Sequence, residues 1–173
     1  MTNGEGLVVR PETPSDRDAV RTVNEEAFGQ PMEADIVDAL RASGNALVSL
    51  VAELDGRVVG QVMFTPLHID SPAGTVPSIA LGPLAVLPAY QKQGVGTALS
   101  RAGIEVCRAM GYGHVFVLGH RTYYPRFGFA PARHRGVIFQ DGRDSFMVLE
   151  LVQGALDGVA GTARFCPEFD VAL

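Results

Sequence analysis

The chain has 173 residues, 47% of them hydrophobic, and a formal charge of −5 at pH 7. This length and apolar content suit one domain with a hydrophobic core and exclude a wholly disordered chain. The acidic balance, without a basic cluster, gives no long-range attraction to nucleic acid or to an anionic membrane, so we expect neither as a partner. We predict a single domain over residues 1–173, with residues 1–6 flexible.

Features of the N-terminus and of the cysteines favour the cytoplasm. The first residues lack the charged start and apolar core of a signal peptide, and the longest apolar stretch, 79–90, is too short to span a bilayer. The two cysteines, Cys107 and Cys166, lack the spacing of a metal site, so we expect reduced, buried thiols and no metal. We therefore predict a cytoplasmic protein.

The first part of the chain predicts a short strand followed by two helices. Residues 7–9 have the apolar pattern of a strand. Residues 13–28 begin with Thr13 and Pro14, which suit a helix start, and continue with apolar residues at helical spacing. A shorter helix fits residues 33–41, between two glycine-containing breaks.

The middle of the chain changes to the two-residue period of strands. Residues 46–54 and 57–69 flank Asp55-Gly56, a strong signal for a β-hairpin. A further strand covers residues 78–86. We expect a bulge or bend near Pro83 in this strand, because proline cannot donate a hydrogen bond to the ladder.

The second half predicts a strand–helix–strand unit and further strands. A loop after the strand at 78–86 leads into a helix over about residues 97–110, and a short apolar strand follows at 114–119. This order predicts a parallel strand pair with a right-handed crossover. Two more strands are expected in residues 136–139 and 145–152, whereas the glycine-rich tail has no assigned element. The elements together predict an α/β domain around a mixed sheet.

The loop at residues 91–97, QKQGVGT, has the features of an anion site. A loop between a parallel strand and a helix lies where the first helical N–H groups lack partners and the helix dipole adds partial positive charge. Gly94 and Gly96 remove the Cβ atoms that would keep a ligand away from the backbone. The loop therefore favours an anion such as a pyrophosphate, with an ordinary glycine-containing connection as the alternative.

Two common phosphate loops do not match this stretch. The P-loop requires GxxxxGK followed by Ser or Thr, which is absent. The dinucleotide fingerprint GxGxxG would place its third glycine at Leu99, and no acidic residue ends the following strand. A nucleotide-binding reductase is therefore disfavoured.

The stretch LAVLPAYQKQGVGTAL resembles the acetyl-CoA motif of the GNAT superfamily of N-acetyltransferases. That motif, Q/R-x-x-G-x-G/A, is matched by Gln91, Gly94 and Gly96. A later stretch, YYPRFGF, resembles the family's Y-x-x-x-G-F signature, in which Tyr124 is the tyrosine. The order of elements also matches over roughly residues 7–152, and the sequence around the second motif is most similar to the YhbS-like branch.

The resemblance implies a fold and a cofactor site. The fold would be α/β (α+β): a mixed, mostly antiparallel sheet with a central, splayed parallel strand pair and helices on both faces. The pantetheine arm of acetyl-CoA would enter the gap and pair with the backbone of the first parallel strand, and its pyrophosphate would reach the glycine loop. The implied cofactor-binding residues are Leu84, Ala85, Val86, Gln91, Lys92, Gln93, Gly94, Val95, Gly96 and Thr97.

The resemblance also implies an activity, the transfer of an acetyl group from acetyl-CoA to a primary amine of a small molecule or peptide. The amine would attack the thioester directly in a ternary complex, without a metal, in a monomer or homodimer. Tyr124 would lie near the thioester sulfur and protonate the leaving thiolate; the alternative is a tyrosine that only packs. His120, Glu25 and Glu26 are further candidates for a base.

Two questions stay open at this point. The first is whether the domain turns over acetyl-CoA or is an acyl-CoA-binding sensor without turnover. The second is the acceptor, whose contacts would come from residues 28–35 and 131–144. Glu26, Glu33 and Asp35 indicate a cationic acceptor.

Overall fold

The computed structural model describes residues 6–173, and this range contains three α-helices and nine strands of one sheet. The strands are β1 (Leu7–Pro11), β2 (Val48–Leu54), β3 (Arg57–Ser71), β4 (Gly74–Val86), β5 (His114–Leu118), β6 (Ala130–Pro131), β7 (Val137–Ile138), β8 (Phe146–Glu150) and β9 (Gly161–Phe165). The α-helices are α1 (Arg17–Phe28), α2 (Met32–Ser43) and α3 (Val95–Ala109). The predicted flexibility of residues 1–6 falls outside the described residues except at Gly6, which lies in an exposed turn.

The strand order along the sheet is β1-β2-β3-β4-β5-β8-β6, and β9 pairs with both β3 and β7. β4 and β5 run parallel, as predicted, with Ile79 opposite Val115 and Leu81 opposite Val117. β7 and β9 form a second, two-residue parallel pair. The other neighbouring strands are antiparallel, which confirms the prediction of a mixed, mostly antiparallel sheet.

Two hairpins build the long antiparallel part of the sheet. Asp55 and Gly56 have positive φ angles of 51° and 79°, the backbone of the two-residue turn predicted between β2 and β3. A second hairpin joins β3 to β4 through residues 72–73, with Ser71 opposite Gly74. The sequence pattern did not indicate this hairpin, because prolines in both strands hide the alternation of polar and apolar residues.

β4 leaves the parallel pair part of the way along its length. Leu81 is the last β4 residue that pairs with β5, although β4 stays paired with β3 to its end. The β3 register shifts between Val62 and Phe64, opposite the Gly82-Pro83 step, so the bulge predicted near this proline is confirmed. In the described range, the β5-facing edge of residues 82–86 therefore has no strand partner, and the sheet opens there.

Helices cover both faces of the sheet, as predicted. On one face α3 buries Leu99 and Cys107 in a cluster that includes Phe64. On the other face α1 and α2 bury Val20 and Leu40 together with Met63. Met63 and Phe64 are adjacent in β3, so their side chains point to opposite faces and separate the two layers of the core.

Helices α1 and α3 begin at other residues than predicted, because the backbone conformation of the preceding residues sets each start. α1 begins at Arg17 rather than near Thr13, because Pro14–Asp16 form a 3₁₀ turn. A 2.8 Å hydrogen bond from the Thr13 N–H to the carboxylate of the turn's last residue closes it. α3 begins at Val95, two residues before the predicted start, because Gly94 takes the left-handed N-cap conformation with φ 90°.

The tail, for which the sequence predicted no element, completes the sheet. β9 places Phe165 opposite Leu67 of β3, on the edge that β2 leaves after pairing with Phe64. The strand predicted at residues 136–139 is reduced to β7, which pairs with β9. These contacts join distant parts of the chain, and local periodicity does not encode them.

Candidate active site

A cavity of about 1290 Å³ lies where β4 and β5 separate. We call one end the loop end, because the free edge of β4 and the loop at residues 91–97 line it. We call the other the tail end, because residues of α1, α2 and the C-terminal tail line it. Clefts for one small molecule usually measure about 300–1,000 Å³, so this cavity has room for a large ligand or for two ligands at once.

The loop end contains the unpaired start of α3. Gly94 caps the helix without a side-chain hydrogen bond. The Ala98 N–H donates to the Gly94 carbonyl at 3.0 Å, so the geometry of a helix leaves the preceding N–H groups of Val95, Gly96 and Thr97 without intrahelical acceptors. These donors, together with the helix dipole, give the loop end the features that suit an anion, and the anion site itself stays a prediction.

The two glutamine side chains of the loop hold its backbone in place through hydrogen bonds. The Gln91 amide donates a 2.9 Å hydrogen bond to the Val86 carbonyl, and the Gln93 amide donates a 3.0 Å bond to the Ala89 carbonyl. Both bonds return to the chain just before the loop and hold its path. Lys92 is exposed at the cavity, and its φ of 59° is left-handed.

Most of the predicted cofactor-binding residues border the cavity: Leu84, Val86, Gln91, Lys92, Gln93, Gly94, Gly96 and Thr97. The side chains of the other two, Ala85 and Val95, are buried in the core that α3 covers. For these two residues only the backbone remains available to a ligand.

A 3₁₀ turn, Tyr124–Phe127, places the predicted catalytic tyrosine against the end of β5. The Tyr124 ring packs on Gly119 so closely that any side chain there would overlap it. The residue is only 7% exposed yet borders the cavity, and burial raises the pKa of its phenol above the ordinary value. Within residues 6–173 its hydroxyl has no hydrogen-bond partner and is not fully buried, so a ligand in the cavity can reach it.

Tyr123, the neighbouring residue, links this turn to α3. Its hydroxyl lies 3.1 Å from the Thr97 hydroxyl. The Arg126 guanidinium lies 4.1 Å from the centre of the Tyr123 ring and donates a 2.7 Å bond to the Tyr123 carbonyl. These contacts fix the position of the turn beside the glycine loop.

The other candidates for a base or for acceptor binding differ in whether they border the cavity. His120 is exposed and borders the cavity at the end of β5. Glu25 forms an ion pair with Arg21, and neither Glu25 nor the exposed Glu26 borders the cavity. Glu33 does border it, at the tail end.

The tail end also contains residues for which the sequence gave no functional indication. The side chains share an apolar character, and those from the last part of the chain are Phe165, Phe169, Ala172 and Leu173. The aromatic residues of the tail were the only available signal, and they also fit an ordinary core. The pairing of β9 with β3 fixes the position of the tail, and four of its residues line the cavity.

The two cysteine thiols and the arrangement of possible metal ligands limit the chemistry that the site can perform. Burial raises the pKa of Cys107 to about 12 and that of Cys166 to about 11, so both thiols are protonated at neutral pH. Within residues 6–173, no group of three or more His, Cys, Asp or Glu side chains is arranged to hold a metal ion. In the same range, no helix has both the length and the apolar character to span a membrane.

Comparison with known sequences identifies a family. A model of the acetyltransferase (GNAT) domain matches residues 8–132 of the chain. The chain is 46% identical over 123 residues to the uncharacterized N-acetyltransferase YjhQ of Escherichia coli K12, a match that covers 68% of this chain and 66% of YjhQ. It is 32% identical over 167 residues to the uncharacterized N-acetyltransferase YhbS of the same strain, covering 95% of this chain and 99% of YhbS.

Solved structures agree with this result. The crystal structure of Escherichia coli YhbS in complex with CoA matches with a TM-score of 0.87 at 32% identity, over 95% of this chain and 92% of that chain. A GNAT family acetyltransferase from Brucella melitensis, in complex with acetyl-CoA, matches with a TM-score of 0.79 at 34% identity, over 95% of this chain and 98% of that chain. This chain therefore belongs to the GNAT acetyltransferase family, in its YhbS-like branch.

Proposed function

We propose that the protein transfers the acetyl group of acetyl-CoA to a primary amine of a small molecule or peptide, with both substrates bound together. One observation carries the proposal: the free edge of β4, the unpaired start of α3 and Tyr124 all border one cavity. An anion site alone would suit many ligands. These three features together suit a molecule that has an amide-containing arm, a pyrophosphate and a thioester.

Backbone groups would hold most of the acetyl-CoA molecule. The amides of its pantetheine arm can pair with the free edge of residues 82–86, as an added strand would. Its pyrophosphate would then lie at the N–H groups that begin α3. The structures of Escherichia coli YhbS and of the Brucella melitensis relative, which hold CoA and acetyl-CoA, support this arrangement by similarity.

The proposed reaction is a direct displacement at the thioester. The amine nitrogen forms a bond to the carbonyl carbon, and backbone N–H groups of residues 84–86 stabilise the negative charge that develops on the carbonyl oxygen. The carbon–sulfur bond then breaks, and its electron pair remains on sulfur. Tyr124 gives its phenolic proton to that sulfur. Of the two protons that the original ammonium loses, one restores the phenol and the other leaves to solvent.

The state of the cysteines supports direct attack by the amine. Transfer through an acetylated cysteine would require a thiolate nucleophile. The pKa values of Cys107 and Cys166, raised to about 12 and about 11 by burial, leave almost no thiolate at neutral pH. Neither residue borders the cavity.

The release of CoA thiol tests the proposal. The protein is incubated with acetyl-CoA and a panel of small amines and lysine peptides, and mass spectrometry checks for the N-acetyl product. We expect thiol release that depends on the amine. Tight CoA binding without release for every amine would overturn catalysis and indicate an acyl-CoA sensor. Binding of a nicotinamide nucleotide without CoA binding would overturn the site assignment as a whole.

A further inference from the structure

The tail end of the cavity contains a buried carboxylate without a cationic partner. Glu33, in the first turn of α2, is 9% exposed and borders the cavity. Its carboxylate oxygens accept bonds of 2.6 and 3.1 Å from the side-chain amide of Gln30. Within residues 6–173, Glu33 forms no ion pair with arginine, lysine or histidine. A carboxylate has about four acceptor positions, so this one retains capacity for another donor.

A second buried carboxylate, that of Asp16, shows what is missing at Glu33. Asp16 is 7% exposed, and Arg10 donates bonds of 2.7 and 2.9 Å to its two oxygens. Buried charges in proteins are usually paired in this way, because an unpaired charge loses its hydration without compensation. Glu33 has only a neutral amide, so its pairing with a cation is left to a ligand in the cavity.

The charged side chains that border the cavity have opposite signs at its two ends. The cationic side chains Lys92, Arg101 and Arg126 belong to the glycine loop, to α3 and to the 3₁₀ turn beside it. Among the described residues that border the cavity, Glu33 is the one acidic side chain. The loop end thus attracts anions, and the tail end attracts a cation.

The walls around Glu33 are apolar. Phe28 and Ile36 come from α1 and α2, and Phe165, Phe169 and Leu173 come from the tail. These side chains can cover the apolar body of a ligand, but they cannot pair with further charges. As the one acidic side chain of the described residues at the cavity, Glu33 therefore selects for a positive charge attached to an apolar group.

We propose that Glu33 binds the ammonium group of the acceptor, and that the acceptor is a primary amine with one positive charge and an apolar body. This inference rests on the proposed acetyl transfer and narrows its substrate class. Polyamines would leave additional charges unpaired in the apolar walls. Amino acids would place a carboxylate in an end of the cavity that has no cation to pair with it.

The test compares three amines as acceptors for the wild-type protein: 2-phenylethylamine, L-phenylalanine and spermidine. The first two share a phenyl ring and differ by the carboxylate, and the third is a polycation. We expect kcat/KM for 2-phenylethylamine to exceed the other two values by at least about tenfold. A preference for spermidine or for L-phenylalanine would overturn the inference, although amine-dependent thiol release would still support acetyl transfer.

Two variants test the role of Glu33 itself. Glu33→Gln removes the charge and keeps the shape, so KM for 2-phenylethylamine should rise by about tenfold or more while KM for acetyl-CoA stays unchanged. Asp35→Asn removes an equal charge from the same helix at an exposed position that pairs with Arg21, and it should leave both KM values unchanged. Equal amine KM values for Glu33→Gln and wild type would overturn the assignment.

A binding measurement keeps the inference testable if no amine is acetylated. Calorimetry would follow the binding of 2-phenylethylamine to the protein saturated with CoA. Binding by the wild type that weakens by about tenfold in Glu33→Gln would support the ammonium site, even though catalysis had failed. Absence of binding by the wild type, or equal binding by the two proteins, would overturn it.

Discussion

Tyr123 and Tyr124 are adjacent in the chain, yet their hydroxyls lie in different surroundings. The Tyr123 hydroxyl contacts the Thr97 hydroxyl at 3.1 Å. The Tyr124 hydroxyl has no partner within residues 6–173, although the ring is buried beside Gly119. Because burial also raises its pKa, Tyr124 stays protonated through neutral and mildly alkaline pH, which suits a proton donor.

Tyr124→Phe removes this hydroxyl and almost no volume. If the hydroxyl protonates the leaving thiolate, turnover should fall by about 10² to 10⁴, the usual range for general acid catalysis. The affinity for acetyl-CoA should change little, because the group acts mainly in the transition state. Steady-state kinetics with an active amine, together with calorimetry of acetyl-CoA binding, would measure the two effects.

Tyr123→Phe is the matched control for this prediction. It removes the contact with Thr97, which is at the loop, and should keep most of the turnover. Normal turnover in Tyr124→Phe with a large loss in Tyr123→Phe would show that the neighbouring residue is the acid. If both variants were fully active, another group or solvent would supply the proton, and Tyr124 would only pack against the cofactor.

The sequence pattern could not rank the three acidic residues that were candidates for binding a cationic acceptor. Glu26, Glu33 and Asp35 together indicated a cationic acceptor, without a basis for choosing among them. Only Glu33 borders the cavity and is buried, whereas Asp35 pairs with Arg21 at the surface. The choice depends on which side of α2 faces the cavity.

Among the elements that form the site, the start of α3 is the one that would bind a ligand mainly through backbone N–H groups. Gly94 ends the loop in a left-handed conformation, and the N–H groups of the next three residues lack intrahelical acceptors. Gly96 has no positive φ. A Cβ on it would lie 3.4 Å from the Tyr123 hydroxyl oxygen, which is ordinary contact, so the fold tolerates an added Cβ there.

Gly96→Glu should therefore fold and yet bind CoA poorly. The substitution puts a negative charge at the loop end, where the pyrophosphate is proposed to lie. We expect the Kd for CoA, measured by calorimetry, to rise at least tenfold, a loss of about 1.4 kcal/mol or more. An unchanged Kd would show that the phosphates bind elsewhere.

Two further variants separate the contributions to binding at this loop. Gly96→Ala adds only the tolerated Cβ, and the family motif accepts alanine at this position, so the Kd should stay within about threefold. Lys92→Ala removes the exposed cation of the loop and should cost less than Gly96→Glu, because backbone donors carry most of the binding. A loss in Lys92→Ala that equals that of the glutamate variant would show that side-chain charge dominates.

In the molecule as a whole, a partly buried ion pair joins the first strand to the turn that precedes the first helix. Arg10 of β1 donates to Asp16 at the start of α1 and, at 2.9 Å, to Glu53 of β2. Asp16 also accepts a bond from the Thr13 N–H. The hydrogen bond from Arg10 is the main cause that holds the pKa of Asp16 well below its usual range.

This pKa shift predicts how stability depends on pH. Asp16 has a lower pKa in the folded than in the unfolded protein, so its contribution is present above about pH 4 and is lost as the pH falls towards the folded value. Asp16→Asn should lower the free energy of unfolding by about 2 kcal/mol at pH 7. The difference from wild type should shrink below about pH 4. Urea unfolding at pH 7, 5 and 3 would measure it.

Asp18→Asn is the control for Asp16→Asn, because Asp18 is an exposed aspartate in the first turn of α1. It should change the free energy of unfolding by less than about 1 kcal/mol at every pH. A pH-independent difference for Asp16→Asn would mean that shape, rather than charge, explains the effect.

The amino-acid sequence alone predicts the elements and the site motifs that depend on local chemistry. The Asp55-Gly56 turn, the bulge near Pro83, the anion loop and the order strand–helix–strand all follow from short stretches whose backbone preferences are strong. The family resemblance added the splay of the parallel pair and the expected place of Tyr124. The parallel pair and the bulge are present in the structure.

The folded structure is needed to see which distant residues share the cavity. The tail reaches the cavity because β9 takes the part of the β3 edge that β2 leaves free. Glu33 is buried because α2 packs against the sheet with one side, while Asp35 on the same helix remains exposed. Such contacts depend on packing between elements far apart in sequence, and local propensities carry no information about that packing.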